Sequence, residues 1–142
     1  MQIIETQFEE LTPLLNKLLT DHARLEAGKP SLTSKKLAFS LTEGNQVLGG
    51  ITGTLRGKNL HINTLVLEKN TRGRGNGHKL MKALEQKAGQ EGATILTVCT
   101  QDFQALEFYQ KLGYAVFGEL KDCPFEGTTK YYLYKHLQPR LV

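Results

Sequence analysis

The chain has no long apolar run, few cysteines and no grouped histidines, and each absence excludes a class of protein. No stretch of its 142 residues approaches the length of a membrane span, and the start, MQIIETQFEE, lacks the features of a signal peptide. We therefore expect a cytoplasmic protein with no membrane partner. Cys99 and Cys123 form no Cys-x-x-Cys pair and the four histidines are scattered, so we predict neither a disulfide framework nor a metal site. Cys99 lies in an apolar run and is predicted to be a small buried side chain.

The composition is that of an ordinary globular protein. Hydrophobic residues make up 39% and charged residues 23% of the chain, which argues against disorder. The length is too short for two domains, so we predict one domain over residues 1–142. A net charge of +4 suits a protein that binds nucleic acid, but equally one that binds a polyanionic cofactor.

The hydrophobic pattern predicts an α/β fold with a mixed, mostly antiparallel sheet and flanking helices. Three strand-like runs joined by short turns predict an antiparallel meander. The run 60–67, a helix and the run 93–99 then form a βαβ crossover, which should make those two strands parallel. The predicted strands are 2–7, 36–41, 47–56, 60–67, 93–99, 114–120 and 130–137, and the predicted helices are 12–25, 75–90 and 102–113, with Asp102 as a cap.

The stretch NTRGRGNGHKL, residues 70–80, lies between a predicted strand and a predicted helix. Its spacing fits neither the dinucleotide fingerprint G-x-G-x-x-G nor the P-loop. Glycines at 73, 75 and 77 let backbone N–H groups converge on a ligand. The helix N-terminus, Arg72 and Arg74 add positive charge. The stretch therefore suits a pyrophosphate, although a solvated glycine-rich turn explains its composition equally well.

Two correctly spaced motifs resemble the GNAT N-acetyltransferase superfamily. Residues 72–77, RGRGNG, match the family pattern Q/R-x-x-G-x-G/A, and residues 105–114, ALEFYQKLGY, resemble A-x-x-F-Y-x-k-x-G-F/Y. The predicted order of elements is also the family's, and residues 117–135 look like those of small bacterial members. The resemblance covers nearly the whole chain and implies a GNAT fold and an N-acetyltransferase that uses acetyl-CoA.

The resemblance also implies where acetyl-CoA binds. Backbone N–H groups of the glycine loop would hold its pyrophosphate. Its pantetheine arm would run as a pseudo-strand beside residues 65–67, where two parallel strands splay apart. The Leu67 N–H is the implied donor to the oxyanion. The implied binding residues are Leu65, Val66, Leu67, Arg72, Gly73, Arg74, Gly75, Asn76, Gly77, His78, Thr100 and Tyr109, with Gln101 as a weaker candidate.

Two side chains are candidates for proton transfer. Tyr109 matches the family tyrosine that protonates the departing thiolate, although its place on an apolar helix face also suits a core residue. His61 aligns with the position where some members carry a catalytic glutamate. Strand alternation would place His61, Asn63, Leu65 and Leu67 on one face, so His61 could be the general base. A surface role for His61, with a water chain as the base, remains open.

The function implied is direct acetyl transfer to an amine of an unidentified acceptor, either a small molecule or a protein. The alternative is a non-catalytic acyl-CoA sensor of the same fold. A nucleic-acid partner is not expected, because no nucleic-acid-binding module is present. The loops 26–34 and 121–129 are expected to select the acceptor. Tyr131, Tyr132 and Tyr134 on the last strand suit either a cleft wall or a homodimer contact.

Overall fold

The structure is a computed structural model that describes residues 1–27 and 34–138. By contacts the chain divides into two compact units, Met1–Thr33 and Ser34–Val142. None of the described helices combines the length and the apolarity that crossing a membrane requires. The elements are α1 (Phe8–Ala27), β1 (Ser34–Glu43), β2 (Gln46–Arg56), β3 (Asn59–Leu67), a 3-10 turn (Lys69–Thr71), α2 (Asn76–Gln90), β4 (Ile95–Thr100), α3 (Phe103–Lys111), β5 (Ala115–Lys121) and β6 (Thr129–His136).

Of the first unit the structure describes residues 1–27, which contain one helix, and the strand predicted over residues 2–7 is absent. A β-strand is stable only when its backbone hydrogen-bonds to a neighbouring strand. A weak alternation of apolar and polar residues does not by itself supply such a neighbour. The helix begins at Phe8 rather than at Thr12, and Glu9 and Glu10 in its first turn suit the positive end of the helix dipole. Most of the predicted loop 26–34 lies outside the described residues.

The second unit is a six-stranded sheet in the order β1-β2-β3-β4-β6-β5. Only β3 and β4 are parallel, and the other four pairs are antiparallel. The predicted meander and the predicted parallel crossover are therefore confirmed. Asp102 caps α3 as predicted, because its side chain accepts a hydrogen bond of 2.7 Å from the Gln104 N–H.

The two faces of the sheet differ in chemistry. One face, which we call the helix face, packs against α2 and is buried. Its largest fully buried side chains are Ile51, Leu60, Met81, Leu84, Leu96 and Leu133. By strand alternation the opposite face carries Thr52, Thr54, His61, Thr64, Thr97, Cys99, Lys130, Tyr132 and Tyr134, and we call it the threonine face.

A β-bulge in β3 changes which of its residues share a face. Thr52 of β2 pairs with Thr64, and the next residue, Gly53, pairs with Ile62, so Asn63 is an extra residue. The Thr54 hydroxyl donates a hydrogen bond of 2.7 Å to Asn63 Oδ1 at this point. A single extra residue reverses the alternation of everything that follows it.

The bulge corrects one prediction from the sequence. Leu65 and Leu67 pack against the core on the helix face, whereas His61 lies opposite Thr54 on the threonine face. The prediction that His61 shares a face with Leu65 and Leu67 is therefore wrong. The prediction requires side chains to alternate regularly between the two faces through Asn63, but β3 gains one residue at that point.

β4 is less enclosed than its apolar sequence predicts. Leu96 and Val98 are buried on the helix face, but Thr97 and Cys99 on the threonine face are only half-buried. The prediction that Cys99 is fully buried is therefore wrong. Hydrophobic sequence alone did not distinguish a strand enclosed on both faces from one enclosed on a single face.

An ion pair inside the second unit joins α2 to β6. Lys135 Nζ donates to both carboxylate oxygens of Glu85, at 2.9 and 3.1 Å, and Glu85 is only 8% exposed. The same ammonium lies 5.6 Å from the ring centroid of Tyr114. Removing one member would leave the other charge poorly solvated and unpaired.

We expect Glu85→Gln to destabilise the protein by about 3 kcal/mol, because Lys135 would lose its partner in a largely buried position. The matched control is Glu91→Gln, which removes a carboxylate paired with Lys35 and Lys87 near the surface and should change stability little. Urea unfolding of the wild type and both variants measures the difference. Equal midpoints for the two variants would contradict the assignment.

Candidate functional site

The hydrogen-bond ladder between β3 and β4 is short. It contains three residue pairs, and the last joins His61 to Thr97. Both strands continue beyond this pair without further pairing to each other, so they diverge into a gap that we call the wedge. The wedge lies between residues 62–67 of β3 and 98–100 of β4. Parallel strands normally satisfy each other's backbone groups, so the wedge exposes groups that can bind a ligand.

The backbone of Leu67 is directed into the wedge. The following residue, Glu68, donates its N–H to Leu48 O at 2.8 Å, on the β2 side. Successive residues of an extended strand direct their backbone groups to opposite sides, so those of Leu67 point away from β2. Consistent with this, Leu67 O accepts a hydrogen bond of 3.0 Å from Arg72 Nε.

The glycines of the loop after β3 have two different physical roles. Gly73 and Gly75 have φ angles of 75° and 79°, which side-chain-bearing residues rarely adopt, and an added Cβ would meet no atom within 4 Å. Gly77 is favoured by the limited space around it instead. A Cβ there would lie 3.3 Å from the Phe108 ring and 3.8 Å from Leu67 Cδ1. The start of α2 thus lies close to both α3 and the end of β3.

The N-terminus of α2 is available to an anion. Its cap residue is Gly75, which has no side chain that could cap the helix. The first helical hydrogen bond at this end runs from the Lys79 N–H to Gly75 O at 3.1 Å. The N–H groups of the first three helical residues therefore have no acceptor within the helix. Asn76 Nδ2 donates to Thr71 O at 3.1 Å, which closes the base of the loop. Such an uncapped N-terminus beside a glycine loop is a site for phosphate.

The polar candidates around the loop occupy different positions. Arg72, Arg74 and His78 are all exposed, and Arg72 is held toward the wedge by its bond to Leu67 O. Thr100 lies at the end of β4, and its Oγ1 accepts from the Asp102 N–H at 3.2 Å. In the sequence, Arg72 and Arg74 are equivalent candidates, but of the two only Arg72 hydrogen-bonds to β3, the strand that lines the wedge.

The loop and the wedge together fit acetyl-CoA. The glycine loop and the uncapped helix offer N–H donors to a pyrophosphate, and the unpaired edge of β3 offers backbone groups to an amide-containing arm. In the part of the chain that the structure describes, no three side chains of histidine, cysteine, aspartate or glutamate are grouped so as to hold a metal ion.

Tyr109 lies on α3 and belongs to the core. It is 6% exposed, and its ring centroid is 5.3 Å from that of Phe108 and 5.7 Å from that of Tyr114. Burial raises the pKa of Tyr109 to about 12. The phenol therefore stays protonated at neutral pH, as a proton donor must. Phe108, its neighbour in sequence, touches the Gly77 position, so this part of α3 lies near the loop.

His61 stands at the base of the wedge on the threonine face. Its Nδ1 is 2.9 Å from Thr97 Oγ1, and that hydroxyl donates to Asn59 Oδ1 at 3.2 Å. Because a threonine has one hydroxyl proton, Thr97 accepts from His61 Nδ1–H, and the lone pair of His61 is on Nε2. Burial, and then the charge of Lys130, lower the pKa of His61, so the ring is neutral at pH 7.

Two features of the site were missed by sequence reasoning. The first is Lys130, at the start of β6. The alternation of the last strand places it with Tyr132 and Tyr134. However, only the observed pairing of β6 with β4 brings that strand beside the wedge.

The second feature is a groove of about 830 Å³ formed by the ends of β1, β2 and β3. Gly50 belongs to it, and a Cβ at this position would lie 2.7 Å from Phe39 O, so the floor requires glycine. The pair Gly49-Gly50 was the available signal in the sequence. Further lining residues are Ala38, Ser40, Thr52, Thr64, Val66, Leu67, Glu68 and Arg72.

Comparison with known proteins is consistent with this geometry. A family model described as "Acetyltransferase (GNAT) domain" matches residues 13–123. The chain is 34% identical over 100 residues to a blasticidin-S acetyltransferase of Streptomyces morookaense. The matched residues cover 70% of this chain and 73% of that protein.

Solved structures share the fold. An acetyltransferase from Bacillus cereus has a TM-score of 0.84 and 25% identity over 96% of this chain and 98% of its own. An aminoglycoside 6'-N-acetyltransferase complexed with coenzyme A has a TM-score of 0.67 over 99% of this chain and 100% of its own. Its 19% identity makes this a likeness of fold alone.

We expect the pKa of His61 to lie below its usual value of 6.5, and Lys130→Met to raise it. A nearby positive charge penalises the protonated ring, so its removal makes protonation easier, while burial still holds the pKa below 6.5. Lys121→Met, which removes an exposed lysine of β5, is the control and should leave the pKa of His61 unchanged. Titration of the His61 ring protons by NMR measures this pKa in the wild type and in both variants. A wild-type pKa at or above 6.5 would contradict the burial of the ring.

Proposed function

The chain belongs to the acetyltransferase (GNAT) domain family, and we propose that its wedge and glycine loop bind acetyl-CoA for direct transfer of the acetyl group to a small-molecule amine. The observation that carries this proposal is the early end of the β3–β4 ladder beside the uncapped start of α2. The predicted cytoplasmic location and the predicted homodimer stay predictions.

We assign cofactor binding to two groups of donors. N–H groups of the loop and of the first turn of α2, from Arg72 to His78, would hold the pyrophosphate. The unpaired edge of β3 at residues 65–67 would hold the pantetheine arm, with Thr100 across the wedge. When bound, acetyl-CoA supplies a thioester carbonyl and a thiol leaving group.

Three groups of this chain would act on the reaction. The Leu67 N–H, directed into the wedge, would donate to the oxyanion that develops on the carbonyl. Tyr109, from the helix face, would donate its phenolic proton to the departing sulfur. His61 Nε2, on the threonine face, would accept the proton of the amine. Acid and base thus stand on opposite sides of the sheet. This arrangement suits the reaction, because the amine attacks the carbonyl carbon from one side while the thiol leaves from another.

Direct transfer is supported by Cys99. Burial raises the pKa of its thiol, in spite of the nearby charge of Lys130. The thiol is therefore largely protonated at neutral pH, and a protonated thiol is a poor nucleophile. A covalent acetyl-cysteine intermediate is thus not favoured by this environment.

A small acceptor is supported by the groove at the ends of β1–β3. The groove is open to solvent, has a volume of about 830 Å³, and adjoins Leu67 and Arg72 at the wedge. The related acetyltransferase of Streptomyces morookaense is named for an antibiotic, blasticidin S, so we include antibiotic amines among the proposed acceptors. A screen of amines and amine-bearing peptides for acetyl-CoA-dependent release of thiol tests this. Acetylation of peptides alone would overturn the small-molecule assignment.

Gly75→Ala should weaken acetyl-CoA binding about tenfold, because a φ of 79° costs a side-chain-bearing residue roughly 1–2 kcal/mol and the loop would relax out of its donor geometry. Gly92→Ala is a matched control. Gly92 also has a positive φ, 99°, and open space at its Cβ, but it follows the other end of α2. Isothermal titration with acetyl-CoA measures both. Equal affinities for the two variants would remove the loop from the cofactor site.

Tyr109→Phe should lower kcat by about 100-fold or more while the affinity for acetyl-CoA stays the same. The substitution removes the hydroxyl that donates the proton and keeps the aromatic ring. Tyr114→Phe is the control, because the Tyr114 hydroxyl is buried and has no hydrogen-bond partner among residues 1–27 and 34–138. It should retain turnover and stability. Steady-state kinetics with the best amine from the screen measures both. Full turnover by Tyr109→Phe would leave Tyr109 as a core residue only.

A further inference from the structure

Lys130 is a half-buried cation on the threonine face. Its Nζ lies 5.4 Å from the ring centroid of Tyr132, two residues further along the same strand. The side chain therefore leans back along β6, over the sheet. No ion pair to Lys130 is present within residues 34–138. A lysine that is held by an aromatic face but lacks a carboxylate partner is available to an anionic ligand.

The strand register places Lys130 next to the proposed reaction centre. Tyr132 pairs with Cys99 of β4, and Tyr134 pairs with Thr97, the residue that binds His61. Lys130 is therefore two rows of side chains away from His61, toward the open end of the wedge. Rows on one face are about 7 Å apart along a strand, and a lysine side chain that leans over one row covers much of this distance.

The local charge at this place is positive. Besides the phenols of Tyr132 and Tyr134, the titratable side chains that share this part of the face with Lys130 are His61 and Cys99. The lowered pKa of His61 leaves a neutral ring, and the raised pKa of Cys99 leaves a neutral thiol. Neither compensates Lys130 at pH 7. An acceptor with several positive charges would be repelled here, whereas an acceptor with a carboxylate would be attracted.

We propose that the acceptor is an amine with a carboxylate a few bonds away, that Lys130 binds this carboxylate, and that the amine then lies at His61 Nε2. The proposal rests on the proposed acetyltransferase function and adds the class of its substrate. Lys130 acts here as a specificity-determining residue. Its charge also favours the neutral, nucleophilic form of an amine bound beside it, for the same reason that it favours the neutral form of His61.

The experiment compares sets of three amines that share one carbon skeleton: leucine, leucinamide and 3-methylbutylamine, and the corresponding sets built on phenylalanine and on lysine. Acetyl-CoA-dependent thiol release gives kcat/KM for each amine with the wild type, Lys130→Met and Lys130→Arg. Lys82→Met removes an exposed lysine of α2, outside the proposed acceptor site, and is the control. Thermal unfolding of every variant verifies that it is folded.

We expect the wild type to prefer the carboxylate over the carboxamide and the simple amine by about 10- to 100-fold in kcat/KM, the range of a hydrogen bond to a charged group. Lys130→Met should abolish this preference, because its kcat/KM falls most for the carboxylate substrates. Lys130→Arg should keep most of it, and Lys82→Met should keep all of it.

Two failures are distinguishable. If the wild type acetylates carboxamides and simple amines as well as the carboxylates, or if Lys130→Met keeps the preference, the role of Lys130 is overturned while the acetyltransferase function stands. If no amine in these sets or in the wider amine screen is acetylated although acetyl-CoA binds, the proposed function fails, and the substrate class fails with it.

Discussion

The early end of the β3–β4 ladder, at the pair of His61 and Thr97, is the constraint on which the rest of the structure depends. Had the two parallel strands stayed paired, the backbone of Leu67 would be satisfied by β4 and no wedge would exist. Because they diverge, a strand edge is left unpaired inside a sheet, beside the start of α2. An unpaired edge costs free energy unless a ligand or water satisfies it, so the protein retains a site for an extended, amide-bearing ligand.

The wedge also connects two different chemical environments. On the helix face, Tyr109 is enclosed by other aromatic rings, and burial keeps its phenol protonated. On the threonine face, His61 is oriented by Thr97 and kept neutral by burial and by Lys130. A proton donor and a proton acceptor can thus coexist at neutral pH: burial keeps the phenol protonated and the imidazole neutral, which are the forms that their proposed roles need.

Sequence reasoning succeeded where the cause was local. The meander, the crossover and the cap at Asp102 follow from turn residues and hydrophobic periodicity, and all three are confirmed. It failed where a partner was needed, as in residues 2–7, whose weak alternation predicts a strand that does not form. It also failed at Asn63, since a bulge depends on how two strands align rather than on either strand alone.

The sequence by itself determined the glycine loop, because a positive φ at Gly73 and Gly75 is a requirement of the backbone that only glycine meets without strain. It also determined the family, through motifs at fixed spacing. Tertiary structure alone decided that His61 faces away from Leu67 and that Lys130 is near enough to lower the pKa of His61. Those relations arise from strand register and pairing order, which join residues far apart in the chain through hydrogen bonds that no local pattern encodes.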